Sequence, residues 1–502
     1  MPVDQLPGSL GRRRPALVVL CFVQYMLVLD DTVVSVALPS IKEDLGFGTT
    51  GLAWVANTYF LAFGGLLLLS GRAADLLGRR RVFLGGVALF GAASLVCGIA
   101  HEPWQMLVGR FTQGMGAAMA SPAALSLIAL LFPGERERAK ALGVWGGIAA
   151  LGGTSGLVVS GVLTDLASWR WIFLINLPVA VMALVLVPHL VSESRSVRRT
   201  SLDVPGAVLG TAAALALVFG LLRVGEAGPN DPAFLTSIVL AAVLAVAFFT
   251  VETRTPEPLV PLPFLAVRTR AAANAATFLF SAAFYAMAFL LMLHLQTVMG
   301  YGPLEAGVAY LPYGAGLLVA MWLASRAVPR LGVRPTLVLS FLISAAGLLL
   351  LSRIAPGDGY AVGVLPGMLV TSAGCGLSLP ALTVAAVAGT TEDNAGLGSA
   401  VFSSVQQLGG AVGLAALVTL AVRHDGTSSD PITSHTNVRN SRSAEEVGLP
   451  TAVAAVNRGT MVAWTRLYRS FSASFLCARG GWDVGFDLGA GVFASGERVR
   501  AG

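Results

Sequence analysis

Charged residues are scarce in this sequence. Its 33 Lys+Arg and 27 Asp+Glu make up 12% of 502 residues, about half the share found in a soluble domain. Hydrophobic residues reach 55% and fall in uninterrupted blocks of about 20 residues, the length that an apolar helix needs to cross a bilayer. The scarcity excludes an ordinary soluble protein, and unbroken apolar blocks are unlike the alternating strands of a membrane barrel. The sequence therefore predicts an all-α polytopic membrane protein.

Cysteine and lysine are also scarce. The four cysteines have no paired spacing, which argues against a disulfide or metal framework. The two lysines, Lys42 and Lys140, do not follow a glycine, so the Gly-Lys-Ser/Thr core of a phosphate-binding loop is missing. We expect no nucleotide, metal or cofactor, and any pumping must draw on a gradient.

Arginines form short clusters between the apolar blocks. Such clusters indicate membrane topology rather than a nucleic-acid surface, so no nucleic-acid partner is expected. No nucleophile, base and orienting group occur together as an enzyme active site requires. The sequence therefore favours a transporter over an enzyme.

Thirteen apolar blocks bounded by charges, glycines and prolines are predicted to span the membrane. They lie near 16–39, 51–70, 82–100, 104–132, 141–164, 171–191, 204–222, 233–251, 271–299, 303–324, 335–352, 360–389 and 394–422. The loops that hold most Lys and Arg all fall on the side of the N-terminus. This bias predicts a multi-pass protein of the cytoplasmic (inner or plasma) membrane with a cytoplasmic N-terminus.

A fourteenth span would have to lie within 465–502. Arg479, Asp483 and Asp487 interrupt the apolar run there, and each charge costs about 2.5–3.5 kcal/mol at a helix centre. The segment is therefore left open as a span or as a peripheral tail.

Three motifs recur about 255 residues further along, as expected for a transporter built from parallel repeats. Residues 71–80 recur in degenerate form as 325–334, 114–116 as 374–376, and 151–156 as 408–413. Spans 1 to 6 thus correspond to spans 9 to 14, and spans 7 and 8 are an inserted hairpin. The predicted organisation is an N-terminus (1–15), a six-helix bundle (16–191), a linker (192–203), a hairpin (204–251), a linker (252–270), a second bundle with five clear spans (271–422), and a polar loop (423–464).

Four segments resemble the fourteen-span drug:proton antiporter group of the major facilitator superfamily. Residues 29–39 (LDDTVVSVALP) are similar to its span 1 signature, with Ser35 where Asn is usual. Residues 71–81 (GRAADLLGRRR), 110–116 (RFTQGMG) and 169–178 (WRWIFLINLP) resemble its loop 2/3, span 4 and span 6 motifs. The resemblance covers residues 20 to about 420 and implies two six-helix bundles with two extra inserted helices. It also implies export of hydrophobic or antibiotic-like molecules in exchange for protons.

The span 5 motif associated with antiport is matched in part. Its glycines correspond to Gly143, Gly152, Gly156 and Gly161. Leu157 stands where proline is usual, so the helix bend expected from proline is missing. Proton-coupled uptake therefore stays open as an alternative, and the interrupted C-terminal segment leaves open a transport-inactive sensor or scaffold.

The acidic and basic residues deep inside the predicted spans are Asp30, Asp31 and Arg110. An intramembrane charge is costly unless it is paired. Asp30 lies nine residues before Pro39 and Arg110 seven after Pro103, about 13 and 10 Å from the predicted outer ends of their helices. We predict that these two side chains pair and that all three residues take part in proton coupling.

Asp31 shares a polar arc of span 1 with Gln24 and Ser35, because successive side chains are about 100° apart on a helix. We therefore predict that Asp31 faces a central cavity. The family motif favours Asp30 as the acid that titrates and the helical arc favours Asp31, and both remain open.

The remaining candidates follow from the resemblance and from side-chain chemistry. The resemblance of loop 2/3 implies a conformational switch made by Gly71, Asp75, Gly78, Arg79 and Arg80. In it, Asp75 and Arg79 lock the cytoplasmic ends of spans in the outward-facing state, with Glu135 or Glu137 as partners. The span 4 motif adds Gln113 and Gly114, and predicted cavity-lining residues are Gln24, Ser35, Trp145, Phe284, Tyr285 and Gln296. The expected partners are a small-molecule substrate, protons and the lipid bilayer, with a monomer as the working unit.

Overall fold

A computed structural model describes residues 9–194, 203–256, 258–354, 358–388 and 395–428. The regular structure of these residues is entirely helical. The predictions for residues 429–502, which include the fourteenth span and most of the polar loop, lie outside the described residues.

The first half of the fold comes from continuous apolar segments separated by glycine, proline and charge. Its helices are α1 (Ser9–Leu45), α2 (Thr49–Leu77), α3 (Arg79–Gly98), α4 (Pro103–Leu131), α5 (Glu135–Leu166), α6 (Trp171–Leu174) and α7 (Asn176–Leu190). Helices α6 and α7 together form the sixth predicted span.

The inserted hairpin and the second half continue the same pattern. The hairpin is α8 (Val204–Ala227) and α9 (Pro232–Arg254), and α10 (Leu262–Ala266) lies in the following linker. The second half is α11 (Arg268–Leu293) with a π-helical turn (His294–Val298), α12 (Pro303–Ala309), α13 (Leu311–Leu331), α14 (Val333–Leu351), a π-helical turn (Tyr360–Val364) leading into α15 (Leu365–Ala386), and α16 (Ala395–Ser428).

Twelve helical stretches in the described ranges are long and apolar enough to cross a membrane, and they coincide with the first twelve predicted spans. The thirteenth predicted span lies in α16, which packs against α2, α8 and α11. An all-α membrane protein is therefore confirmed.

One linker and one helix end differ from the prediction. The 252–270 linker is mostly structured, because α9 continues to Arg254 and the buried Glu252 accepts a hydrogen bond from the Val260 backbone at 3.3 Å. Helix α16 continues to Ser428, past the predicted end at 422. No proline occurs before Pro431 to break it, and polar residues alone do not end a helix.

The two halves repeat the same helix contacts. Helix α5 packs on α1 as α16 packs on α11, and α4 contacts α2 and α3 as α15 contacts α13 and α14. The repeated glycines lie at these contacts: a Cβ at Gly152 would be 3.3 Å from the Tyr25 carbonyl, and a Cβ at Gly409 would be 2.5 Å from the Phe278 carbonyl. The sequence repeat is thus a repeat of close helix packing.

The halves touch each other at the end predicted to be extracellular. A Cβ at Gly161 of α5 would lie 2.7 Å from the Pro303 carbonyl, and a Cβ at Gly307 of α12 would lie 2.6 Å from the Leu157 carbonyl. Such approaches leave no room for a side chain. We call this contact between α5 and α12 the outer closure.

The other end of α5 has no such neighbour. A Cβ at Gly143, Gly146 or Gly147 would meet no described atom within 4 Å. At 100° per residue, these glycines share the face of α5 that holds Leu157 and Gly161. The face that closes against α12 at one end therefore has no close neighbour among the described residues at the other end, which is predicted to be cytoplasmic.

The inserted hairpin lies beside the junction of the two halves. Helix α8 packs against α2 of the first half and α16 of the second. Thr211 of α8 lies where a Cβ on Gly65 of α2 would be, and Thr419 of α16 donates a hydrogen bond to the Leu221 carbonyl. Helix α8 therefore contacts both halves of the molecule.

Candidate functional site

Asp30 and Arg110 form an ion pair in the core of the first half. Arg110 Nη1 lies 2.6 Å from Asp30 Oδ2. The Arg110 side chain is 1% exposed and the Asp30 side chain 0%. Arg110 Nε also donates to the Val55 carbonyl at 3.0 Å, and its guanidinium lies 4.4 Å from the Tyr59 ring centroid. Both charges are thus neutralised inside the bundle, as an intramembrane pair requires.

Asp30 is also held by two amide side chains. Gln113 Nε2 donates to Asp30 Oδ1 at 3.1 Å and to Ser94 Oγ at 2.8 Å, and Gln113 Oε1 accepts from Arg110 at 3.0 Å. Asn176 Nδ2 donates to Asp30 Oδ1 at 2.8 Å. We call these five residues the Asp30 cluster, and all of them belong to helices of the first half.

Sequence reasoning placed Asp30, Arg110 and Gln113 but missed Ser94 and Asn176. Each missed residue is a polar side chain within an apolar span, Ser94 in the last turns of α3 and Asn176 at the start of α7, and each is at most 1% exposed. A buried polar group needs a hydrogen-bond partner, so this position was the available signal. Nothing in the local sequence indicates that Asn176 donates to Asp30 or that Ser94 accepts from Gln113.

Asp31 points away from the Asp30 cluster toward the second half. The Tyr285 hydroxyl of α11 lies 3.4 Å from Asp31 Oδ2 and 3.1 Å from Gln407 Oε1 of α16. Asp31 Oδ1 and Gln24 Oε1 are buried without a hydrogen-bond partner among the described residues. The predicted separation of the two acids is therefore present in the structure. Gln407 was missed, although it is part of a glutamine pair in an otherwise apolar predicted span.

The aromatic candidates form a row that crosses between the halves. The Tyr285 ring centroid lies 4.7 Å from that of Phe60 on α2 and 5.4 Å from that of Phe284. Phe284 in turn lies 6.5 Å from Tyr313 of α13. The rings are tilted or perpendicular to one another, so they form an apolar cluster between the halves and not one flat face. Aromatic side chains of this kind commonly line ligand pockets.

Three further cavity candidates occupy different places. Ser35 is half-buried on α1, and Trp145 is half-buried on α5 with its Nε1 lacking a partner among the described residues. Gln296 donates from Nε2 to the Val36 carbonyl at 2.9 Å. Gln296 therefore ties the π-helical turn that follows α11 to the backbone of α1.

The loop 2/3 residues pair with near neighbours and with the end of the sixth span in this structure, whereas the predicted lock concerns the outward-facing state. Asp75 pairs with Arg79 at 2.8 Å, and both oxygens of Glu193 accept backbone N–H groups, from Arg80 and Arg81, at 3.2 Å. The predicted partner Glu137 instead lies 4.0 Å from Arg13, and the side chain of Glu135 is outside the described set. Glu193 follows the sixth span and lies at the amino end of α3. A carboxylate is favoured at the amino end of a helix because the first N–H groups of the helix have no partner within it.

The motif glycines also differ in their surroundings. A Cβ at Gly114 would lie 2.5 Å from the Tyr59 carbonyl, and a Cβ at Gly156 would overlap Thr32. A Cβ at Gly71 would meet no described atom within 4 Å. Gly114 and Gly156 are therefore close-packing positions, whereas Gly71 is not.

Gly78→Ala is expected to destabilise the protein by about 1–3 kcal/mol. Gly78 joins α2 to α3 at φ +112°, and a Cβ there would lie 2.6 Å from Glu193 Oε1. Unfolding of the purified protein in detergent, titrated with SDS, measures the change. The matched control is Gly71→Ala inside α2, where alanine is expected to add stability. Equal effects of the two variants would contradict the strained turn.

The chain has clear relatives. The Major Facilitator Superfamily model matches residues 20–414. The lincomycin resistance protein of Streptomyces lincolnensis is 40% identical over 446 residues, 88% of this chain and 90% of the relative. The puromycin resistance protein of Streptomyces alboniger is 40% identical over 82% of this chain and 83% of the relative. The cephamycin export protein of Amycolatopsis lactamdurans is 35% identical over 83% and 86%.

Solved structures resemble the fold at low sequence identity. A bacterial homologue of the human lysosomal transporter Spinster, in an inward-facing and unoccupied conformation, matches with a TM-score of 0.62 at 17% identity, covering 94% of this chain and all of that one. A POT family transporter in complex with 5-aminolevulinic acid matches with a TM-score of 0.63 at 15% identity, covering 92% and 96%. These matches show that the chain has the fold of known transporters, and the inserted pair α8 and α9 is seen in its own helix order.

Proposed function

The chain belongs to the Major Facilitator Superfamily, and from this premise we propose that it exports hydrophobic or antibiotic-like small molecules across the cytoplasmic membrane in exchange for protons. It is a membrane transporter and not an enzyme. The relatives named for antibiotic resistance or export share 35–40% of their residues with it over most of both chains. Their names support the direction of transport and the class of substrate.

The arrangement of the halves fits alternating access. The outer closure, together with the face of α5 that meets no described atom at its other end, supports an inward-facing cleft that a substrate enters from the predicted cytoplasmic side. Rocking of one half against the other then exposes the same site to the outside. The cleft lies within one chain, so a monomer suffices for this cycle.

Leu157 in place of proline does not prevent this closure. Helix α5 is continuous from Glu135 to Leu166, and the Leu157 carbonyl packs where Gly307 of α12 has no side chain. The unbroken helix α5 thus reaches α12 because Gly307 of α12 leaves room for its backbone. This observation weakens the argument for uptake that was based on the missing proline.

Proton coupling is supported above all by the position of Asp31. It is an ionisable group at the boundary between the halves, so its surroundings change when the halves rock. The proton gradient then supplies the energy, and no cofactor is needed. A cytoplasmic N-terminus belongs to the same proposal, since it sets which side of the cleft is inside.

Inverted membrane vesicles test both the direction and the coupling. With respiration acidifying the vesicle lumen, we expect uptake of lipophilic dyes or antibiotics into the lumen, and we expect a protonophore to abolish it. Asp31→Asn should abolish this uptake while Tyr25→Phe, which removes a hydroxyl between α1 and α5 of one half, should not. Substrate leaving the lumen together with protons would show symport instead.

A further inference from the structure

Three side chains from three helices meet where the halves touch. They are Asp31 of α1 in the first half, and Tyr285 of α11 and Gln407 of α16 in the second. The Tyr285 hydroxyl lies between the other two, 3.4 Å from Asp31 Oδ2 and 3.1 Å from Gln407 Oε1. We call this group the Asp31 bridge.

Proton counting shows what the Asp31 bridge requires. A tyrosine hydroxyl has one hydrogen to donate, and a carboxylate and an amide oxygen only accept. If Asp31 carries a proton, it donates to the Tyr285 oxygen and Tyr285 donates to Gln407, so two protons satisfy two contacts. If Asp31 is a carboxylate, the single hydroxyl proton serves two acceptors and one contact is lost.

Packing fixes the Tyr285 ring in this position. A Cβ at Gly410 of α16 would lie 2.6 Å from Tyr285 Cδ2, and the Phe60 ring of α2 lies 4.7 Å away on another side. Gln407 is equally constrained, since its Cβ lies 2.8 Å from where a Cβ on Gly64 of α2 would be. The bridge therefore opens or closes with the helices and not by side-chain rotation alone.

The charged groups around Asp31 leave it without a counter-ion of its own. Asp30 precedes it, α4 contributes Arg110, and α2 and α11 contribute Tyr59 and Tyr285. Arg110 is already bound to Asp30 at 2.6 Å within the Asp30 cluster. The ionisable residues of α5 and α7 lie near the ends of those helices, and Gln407 is the bridge residue that α16 supplies.

We propose that the Asp31 bridge is a proton-dependent latch between the two halves. It is closed in the inward-facing state while Asp31 is protonated. When the Asp31 O–H bond breaks and the proton passes to water in the cleft, the contact to α11 weakens and the halves are free to rearrange. This inference rests on the proposed proton coupling and assigns the coupling to Asp31, with Tyr285 and Gln407 as positioning residues.

Distance measurements across the cleft test the latch. Spin labels at Val144→Cys on α5 and Trp322→Cys on α13, two exposed positions, report the opening of the cleft in lipid nanodiscs, with the four native cysteines replaced by alanine. In the protein with an unaltered Asp31 bridge, we expect the distribution of distances between the two labels to change with pH. Asp31→Asn should hold the low-pH distribution at every pH, because its amide donates to Tyr285 and does not ionise.

Variants of Tyr285 and Gln407 distinguish the latch from a pH response that depends on the ionisation of Asp31 alone. Tyr285→Phe keeps the ring and removes the hydroxyl, and Gln407→Leu removes the second acceptor. The labels give the ratio of molecules with an open inner cleft to molecules with a closed one. Each substitution should reduce the change of this ratio with pH about tenfold, because it removes one hydrogen bond of the Asp31 bridge. Tyr25→Phe, with its bond to Ser155 at 2.9 Å inside one half, should respond as the unaltered protein does.

Two results would overturn the latch. One is an unchanged pH response in Asp31→Asn, and the other is a full response in both Tyr285→Phe and Gln407→Leu. Export driven by a pH gradient is measured on the same proteins in liposomes. A bridge-dependent pH response without such export counts against the proposed function and not the latch, and export with a bridge-independent response counts against the latch alone.

Discussion

Replacing Arg110 by alanine is expected to lower the free energy of unfolding by about 3–5 kcal/mol. The substitution removes the 2.6 Å contact to Asp30 and the hydrogen bonds to Gln113 and Val55. It leaves the Asp30 carboxylate 0% exposed with no cation beside it. Breaking one partner of a buried pair costs more than the pair itself contributes, because an uncompensated charge stays behind.

SDS-titrated unfolding of the purified protein in detergent measures this loss. The control is Thr112→Ala on the same helix, whose exposed hydroxyl bonds only to the Val108 carbonyl of its own helix, and we expect less than about 0.5 kcal/mol from it. Adding Asp30→Asn to the Arg110 variant should restore part of the stability, since the orphaned charge is removed. An Arg110 variant as stable as the Thr112 variant would refute the structural role of the pair.

Gly161→Leu is expected to shift the protein from the inward-facing to the outward-facing state. A Cβ at position 161 would lie 2.7 and 2.8 Å from the Pro303 carbonyl and the Leu304 Cα, and both are backbone atoms that do not move without α12. Overpacking costs about 1–3 kcal/mol, and 3 kcal/mol corresponds to a change of about 100-fold in a two-state ratio. Only the inward-facing state, in which the outer closure is formed, is destabilised by this overpacking.

The same pair of spin labels on α5 and α13 reports the shift as a shorter distance across the inner cleft. Gly146→Leu is the matched control, because Gly146 lies on the same face of α5 and a Cβ there meets no described atom within 4 Å. It should leave the distribution unchanged. An identical distribution for the Gly161 and Gly146 variants would show that α5 and α12 are not tightly closed.

The sequence was a good guide where depth and periodicity decide the outcome. The distances of Asp30 and Arg110 from their helix ends predicted the pair, and the helical arc predicted that Asp31 points elsewhere. The repeated glycines predicted that α5 and α16 pack in equivalent ways. These inferences depend on one helix or on two copies of one motif, which the linear sequence displays directly.

The sequence was a poor guide where three or more distant segments meet. Asn176 and Ser94 lie 146 and 64 residues from Asp30 along the chain, and no spacing rule links them. Glu193 was missed because the expected partner of loop 2/3 was sought in the loop after span 4. Gln407 contacts Tyr285 across 122 residues, and only the packing of α16 against α11 brings them together.

The Asp30 cluster has a consequence for how the protein is made. Its last contributor along the chain is Asn176, so every partner of the Asp30 and Arg110 charges is already synthesised before α8 begins at Val204. Domains generally form as units during synthesis, amino-terminal first. The first half can therefore leave the translocon with its two most costly charges already neutralised, and biogenesis of the amino-terminal bundle does not have to wait for the second.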